Sequence, residues 1–226
     1  MKLNQNLFAY VWKGNDNNCN SFLFANVFEG NKHILIDPGH IVTPYLHEDG
    51  YQRLIDEIKS DGLKVADIGL VVLTHAHPDH VESSEKFRSL FGIPVALHKD
   101  DIHTFKMFGG GSTIDIKLEE GILNLATPLL TQVEIIKVPG HSPGHIAVYW
   151  PLQKALAAGD VVFYRSMGRV DLPGGDEQAM KTSIEKLASL DLEYLFCGHP
   201  YMHPGVIQGK EAIKKNFEVL KQYFSY

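Results

Sequence analysis

A chain of 226 residues with 44% hydrophobic content is the right size for one large domain with a full core. Its formal net charge of −6 argues against a nucleic-acid partner, which needs a basic face. The 2 cysteines, Cys19 and Cys197, are too few for a disulfide framework, and neither a signal pattern nor a long apolar run is present, so no membrane segment is expected and a reducing, cytoplasmic setting is the default.

Taken in order, residues 3–12 and 22–28 read as strands, separated by an Asn- and Asp-rich turn at 15–20. Cys19 has no activating neighbour in sequence and reads as a packing residue. Residues 33–37 form another strand pattern, ending in Asp37-Pro38-Gly39. Asp37 there reads either as a simple turn aspartate or as a group holding a loop or a histidine from behind. His40 is a surface or cavity-rim candidate. Residues 48–60 place Tyr51, Leu54, Ile55 and Ile58 at helical spacing, closed by Asp61-Gly62. Residues 68–73 are continuously apolar, the pattern of a strand buried on both faces. They run into Thr74-His75-Ala76-His77-Pro78-Asp79-His80, where Pro78 forces a turn.

Beyond it, 80–91 reads as a helix with Val81, Phe87, Leu90 and Phe91 as its apolar marks, and 93–98 as a strand. His98 reads as a polar cap at a strand end, and His103 as exposed. The glycine-rich run 108–113 lacks the Lys-Ser/Thr of a phosphate-binding loop and reads as a mobile surface loop or a lid. Residues 118–125 read as a hairpin-like connection. Strand patterns recur at 133–138, 146–150 and 154–158. Asp176 is placed to cap a helix reaching about 190, marked by Met180, Ile184, Leu187 and Ala188. A last helix spans about 209–224, with Ile213, Phe217, Leu220 and Phe224 on one face.

The chemistry concentrates where apolar runs end. His75 and His77 lie at i and i+2, so in extended backbone both rings point the same way and can converge on one ion. Asp79 and His80 lie just past the turn and can address a second position. Three more ligand types follow strand patterns in the same manner: Pro139-Gly140-His141, Gly159-Asp160 and Gly198-His199. Glycine lets the backbone turn and approach closely before each one. Cys197 beside the last reads as packing, and His145 and His203 as structural or rim groups.

These residues resemble the metallo-β-lactamase superfamily: Thr74 to His80 is similar to its T-H-x-H-x-D-H motif, and His141, Asp160, His199 and the early Asp37-Pro38-Gly39 fall in matching order. The stretch 159–176 looks most like glyoxalase II-like thioesterases and the related persulfide dioxygenases. The resemblance implies an α/β (α+β) chain folded as a four-layer αββα sandwich, a single domain over 1–226 with its core at about 20–200. It implies two divalent metals, zinc first, with iron or manganese as alternatives. His75, His77 and His141 would hold one and Asp79, His80 and His199 the other, with Asp160 bridging, Asp79 orienting the nucleophilic water, and Asp37 and Thr74 behind the ligands.

The implied activity is hydrolysis of a small thioester by a metal-bridging hydroxide, as in hydroxyacylglutathione hydrolase. The thiolate leaving group, with a pKa near about 8.5, scarcely needs a general acid, and none is evident in the motif. The alternative is a mononuclear non-haem iron persulfide dioxygenase, using His75, His141 and Asp160. A lactonase, a phosphodiesterase and a non-catalytic metal-binding domain are further readings. An anionic thiol ester would look for contacts among Tyr164, Arg165, Arg169, Tyr201 and Lys210. Two departures stand out. Val81-Glu82 follows the motif where the family often has Gly, and Cys197-Gly198-His199-Pro200 stands where hydrolases often have Pro-Gly-His-Gly. The further helical, glutathione-binding domain of glyoxalase II is not in the sequence. Nothing in the sequence sets the oligomeric state.

Overall fold

The computed structural model describes residues 1–108, 113–125, 128–201 and 203–224. Strands β1 (Leu7–Tyr10), β2 (Ser21–Phe28), β3 (Lys32–Ile36), β4 (Ile68–Val72), β5 (Val95–His98) and β6 (Ile116–Leu118) form one six-stranded sheet in that order. Strands β7 (Gly121–Ile122), β8 (Glu134–Lys137), β9 (Ile146–Trp150), β10 (Ala155–Ala157), β11 (Tyr194–Phe196) and β12 (Val206–Gln208) form the other. In the first sheet β3, β4, β5 and β6 are parallel neighbours, so their carboxyl ends share one edge.

Period-two alternation sorts each strand's side chains to two dry faces. Phe22, Phe24, Ile34, Ile36, Leu70 and Val72 turn inward and meet Ile135, Ile146, Val148, Trp150 and Phe196 of the second sheet. Phe22 stacks on Phe196 at 4.9 Å between centroids, closing the gap between sheets. The opposite face of the first sheet carries Leu23, Leu35 and Val71. It packs under helices α1 (Gly50–Ser60), α2 (Pro78–Val81), α3 (Ser84–Phe91) and α4 (Ile102–Met107). The outer face of the second sheet packs under α5 (Glu177–Leu187) and α6 (Lys210–Gln222). Helix, sheet, sheet and helix are the four layers of an αββα sandwich. Asp176 caps α5 by accepting from the Ala179 N–H at 2.9 Å.

Two expectations are corrected, and one strand is added. The helix expected at 80–91 is two helices, because the Ser83 N–H goes to the Gly39 carbonyl at 2.8 Å and its hydroxyl to the His40 carbonyl. The break rotates the buried face to Ser84 and Phe87, and leaves Leu90 and Phe91 exposed at 62% and 43%. Residues 118–125 are not a hairpin: β6 pairs with β5 and β7 with β8, so this segment crosses from one sheet to the other. Strand β12 was not anticipated; it is a three-residue edge strand antiparallel to β11. Of the glycine-rich run 108–113, positions 109–112 lie outside the described residues.

Candidate metal centre

The first-sheet ligands arise where β4 ends. The backbone bends at Thr74 and His75 and is extended at His77, then Pro78 starts α2 and turns Asp79 and His80 back toward the same space. The second sheet supplies the rest from three loops: His141 after β8, Asp160 after β10 and His199 after β11. Three groups of ligand atoms converge within 4.8 Å: His75, His77 and His141; His75, His80 and Asp160; and Asp79, His80 and His199. All seven predicted ligands are therefore brought together, with His75 and His80 fully buried. Gly198 permits this, since a Cβ there would sit 2.1 Å from Asp160 Oδ1.

The imidazoles are oriented from behind. His141 Nδ1 donates to the Arg169 carbonyl at 2.7 Å and His199 Nδ1 to the Asn18 carbonyl at 3.1 Å. His80 Nδ1 donates to Asp37 Oδ2 at 2.9 Å. His75 Nδ1 donates to Thr74 Oγ1 at 3.1 Å, and that hydroxyl in turn donates to Asp37 Oδ2 at 2.6 Å. Pinning the far nitrogen as a donor leaves a lone pair on the near one. Asp37 thus governs two rings, one directly and one through Thr74. Its own backbone is left-handed, with φ 50°, and its Oδ1 accepts the Thr74 N–H at 2.7 Å.

The near atoms face one another at short range. His77 Nδ1 lies 2.8 Å from His141 Nε2, and His80 Nε2 3.3 Å from His199 Nε2. His75 Nε2 is buried without a hydrogen-bond partner. Asp160 Oδ1 lies 3.2 Å from His80 Nε2 but without hydrogen-bond geometry, while its Oδ2 lies 3.3 Å from His199 Nε2 and 3.5 Å from His141 Nε2. Converging lone pairs and orphaned buried acceptors are a poor hydrogen-bond network and a good ligand sphere. The donor set of imidazoles and carboxylates fits zinc, iron or manganese.

Burial lowers the basicity of His75, and the neighbouring His80 and His145 rings lower it further; burial and His141 bring His77 down to about 4. Burial also opposes charge on His80 and His199, but carboxylates overcome it. Asp160 and Asp37 raise His80 well above its ordinary value, and Asp160 and Asp79 hold His199 up at about 9. Reciprocally, burial would raise Asp160 and Asp79, but the facing His199 and His80 hold both below the usual carboxylate range.

The pattern of the metallo-β-lactamase superfamily matches residues 14–199. The chain belongs to this superfamily. A probable metallo-hydrolase of Bacillus subtilis is 30% identical over 174 residues, covering 70% of this chain and 74% of the relative. A hydroxyacylglutathione hydrolase of Cereibacter sphaeroides is 35% identical over 132 residues, covering 58% of this chain and 48% of the relative. The crystal structure of TTHA1623 in a di-iron-bound form superposes with a TM-score of 0.66 at 29% identity, covering 85% of this chain and 91% of that one.

Above the ligands lies a cavity of about 600 Å³, whose walls include Phe108, Phe163, Met167, Leu172, Arg169 and Tyr201. Tyr201 stacks on His199 and donates to Asn17 Oδ1 at 3.1 Å; Asn17 donates to Asp79 Oδ2 at 2.7 Å. Phe108 sets its ring edge against His77. The guanidinium of Arg169 is closed on Asp171 in a two-point pair at 2.9 and 2.8 Å, so this residue serves the centre through its carbonyl.

Lys210 is not at this cavity. β12 runs antiparallel to β11 and pairs Gln208 with Tyr194, so the chain has returned to the start of β11 by residue 210, and Lys210 pairs with Asp191 at 2.7 Å. Tyr164 stacks on His203, with the Arg165 guanidinium over its ring, and neither lines the cavity. His40 is buried and pairs with Glu82 at 2.8 Å. His145 is buried at 0% exposure, stacks on His75, and accepts the Asp160 N–H at 3.1 Å.

Sequence reasoning missed the supports in the Asn-rich turn: Asn17, the Asn18 carbonyl, and Asn20, whose N–H donates to the Gly198 carbonyl at 2.7 Å. Density of Asn was the available signal, and it reads equally as an ordinary turn. Among the described residues no helix is long and apolar enough to cross a membrane.

Proposed function

We propose that the chain is a binuclear metal-dependent hydrolase acting on a small thioester. The observation that carries this reading is the convergence of seven metal-type side chains on one space, with the far nitrogens of His75, His80, His141 and His199 pinned. Two ions bound there would supply a water deprotonated near neutral pH and a Lewis acid for the carbonyl. His75, His77 and His141 would hold one, Asp79, His80 and His199 the other, and Asp160 both; zinc suits this set first.

The chain's own groups then define the chemistry. Asp79, fixed by Asn17 and kept ionised, accepts from the attacking water and orients it. Phe108, Phe163, Met167 and Leu172 exclude bulk water from the carbonyl. Among the described residues no lining carboxyl is poised as an acid, because Asp79 and Asp160 are both held ionised. Tyr201 keeps its proton at neutral pH, because burial and then the Asp160 and Asp79 charges raise it. A thiolate leaving group, with a pKa near about 8.5, departs without a strong acid, whereas an amine does not. The similarity to a hydroxyacylglutathione hydrolase supports the same reading.

The test is elemental analysis of the purified, metal-reconstituted chain, paired with substrate assays. About two metals per chain and cleavage of small acyl thioesters are expected. About one iron per chain, with oxygen uptake on glutathione persulfide and no thioester cleavage, overturns the reading in favour of a mononuclear dioxygenase.

A further inference from the structure

Asp101 is a carboxylate that no metal role uses, yet it is fully buried, at 0% exposure. It closes the short 3₁₀ turn Lys99–Asp101 after β5, and β5 runs parallel to β4, so the two strand ends lie side by side. Its Oδ2 accepts the Ala76 N–H at 2.9 Å and the Ser142 hydroxyl at 2.8 Å, and its Oδ1 accepts the Gly144 N–H at 2.8 Å. Ala76 is the residue between His75 and His77, and Ser142 follows His141. One carboxylate therefore holds together the two loops, one from each sheet, that carry the three imidazoles. Contact is close enough that a Cβ on Gly144 would meet the Asp101 backbone nitrogen at 2.4 Å. Burying a carboxylate is costly without compensation, and three convergent donors are the compensation built here.

We propose that Asp101 is a positioning residue that sets the approach of His77 to His141, and so the affinity of the His75, His77, His141 position alone. The other half of the centre is organised by Asp37, Asn17 and the Asn18 carbonyl, none of which touches Asp101, although Asp37 also reaches His75 through Thr74. The proposal rests on the two-metal reading above and sharpens it, because it assigns the approach of His77 to His141 a control of its own.

Asp101→Asn preserves shape but places an amide N–H against either the Ala76 or the Gly144 N–H, so at least one tie is lost. Ser142→Ala removes one tie while leaving the carboxylate and both backbone donors, and tests the same idea if Asp101→Asn fails to fold. The probe is cobalt(II), added to metal-free protein, followed by visible absorption and by competition with a chelator. Wild type is expected to take up two equivalents. Asp101→Asn is expected to weaken one affinity by about 10–100-fold, to alter the absorption of that ion, and to leave the other within about threefold. Ser142→Ala should weaken the same ion severalfold. In a His77→Ala background, which already lacks that position, Asp101→Asn should cause no further loss at the remaining one.

Equal affinities in Asp101→Asn and wild type, or equal weakening of both ions, overturns the proposal. A wild type that binds a single equivalent overturns the two-metal reading instead, and Asp101 is then judged by whether its substitution shifts that one affinity.

Discussion

The two halves of the centre prepare the same kind of ligand by opposite means. His75 and His77 are rings in dry surroundings, kept neutral by burial, and supported with His141 by a hydroxyl, a peptide carbonyl and the tie from Asp101. His80 and His199 are rings drawn up by the carboxylates Asp37, Asp79 and Asp160. A buried imidazole is thus readied either by excluding water around it or by setting negative charge beside it. The first half offers three imidazoles and the second mixes in the oxygen of Asp79, the one of these six ligands that is only partly buried. Softer, drier ligation holds zinc well, and harder, wetter ligation exchanges faster. A chelator titration should therefore remove the metals in two steps, the Asp79 side first; a single step for both would erase the distinction.

Asp160 belongs to both halves, and its removal is the largest expected effect. Asp160→Ala should lower metal content at both positions and hydrolysis by on the order of 10³-fold, equivalent to about 4 kcal/mol of barrier. Retention of one fully loaded metal would show that the halves do not depend on a shared ligand.

Asp37→Ala comes next. It frees His80 directly and His75 only through Thr74. Metal affinity should fall about 10–100-fold, more on the His80 side. The buried Thr74 N–H loses its acceptor as well, which should destabilise the fold by about 1–3 kcal/mol, read from the denaturation midpoint. Asn17→Ala should be milder, with a few-fold loss of affinity beside Asp79 and none beside His77; an equal effect on both ions would mean that the cavity rim acts on the centre as a whole.

The smallest prediction isolates the dry mechanism away from any metal ligand. His33 accepts the Asn26 N–H at 3.1 Å and is lowered below its ordinary value by burial. The unfolded chain takes up this proton near about pH 6.5, before the folded one does, so stability rises with pH across that interval and is lost as pH falls through it. Metal-free wild type should lose stability between about pH 7 and about pH 5 relative to His33→Asn, measured in urea. Identical pH dependence in the two proteins would dismiss His33 as a contributor.

The converging histidines and aspartates were legible because each group follows the end of an apolar run, a pattern in which the sheet edge and the polar residues are written next to each other. Alternation and helical spacing made strands and helices legible, a mixed α/β chain, while the four layers followed only from the resemblance. The supports were not legible. Asp101 stands in Lys99-Asp100-Asp101, which reads as a charged surface turn, and its role exists only because β5 lies beside β4. Asn17 acts on Asp79, 62 residues on, and Asn18 on His199, 181 residues on, and no local spacing records that. Lys210 lies away from the cavity because a three-residue strand reverses the chain, and Leu90 and Phe91 are exposed because two hydrogen bonds from Ser83 reset the helix phase.

The centre also lies across a seam. Four ligands come from the loop after β4 in one sheet and three from loops of the other, while β4's loop and β9 are joined there by the Ile146 N–H to Thr74 carbonyl bond at 2.9 Å. A bound ion is therefore a rivet through two plates. Separation of the sheets at that edge requires its release, so slow exchange of backbone amide hydrogens should spread from the Phe22–Phe196 stack out to the ligand loops when metal is added. The catalytic apparatus would then double as the fastener of its own scaffold.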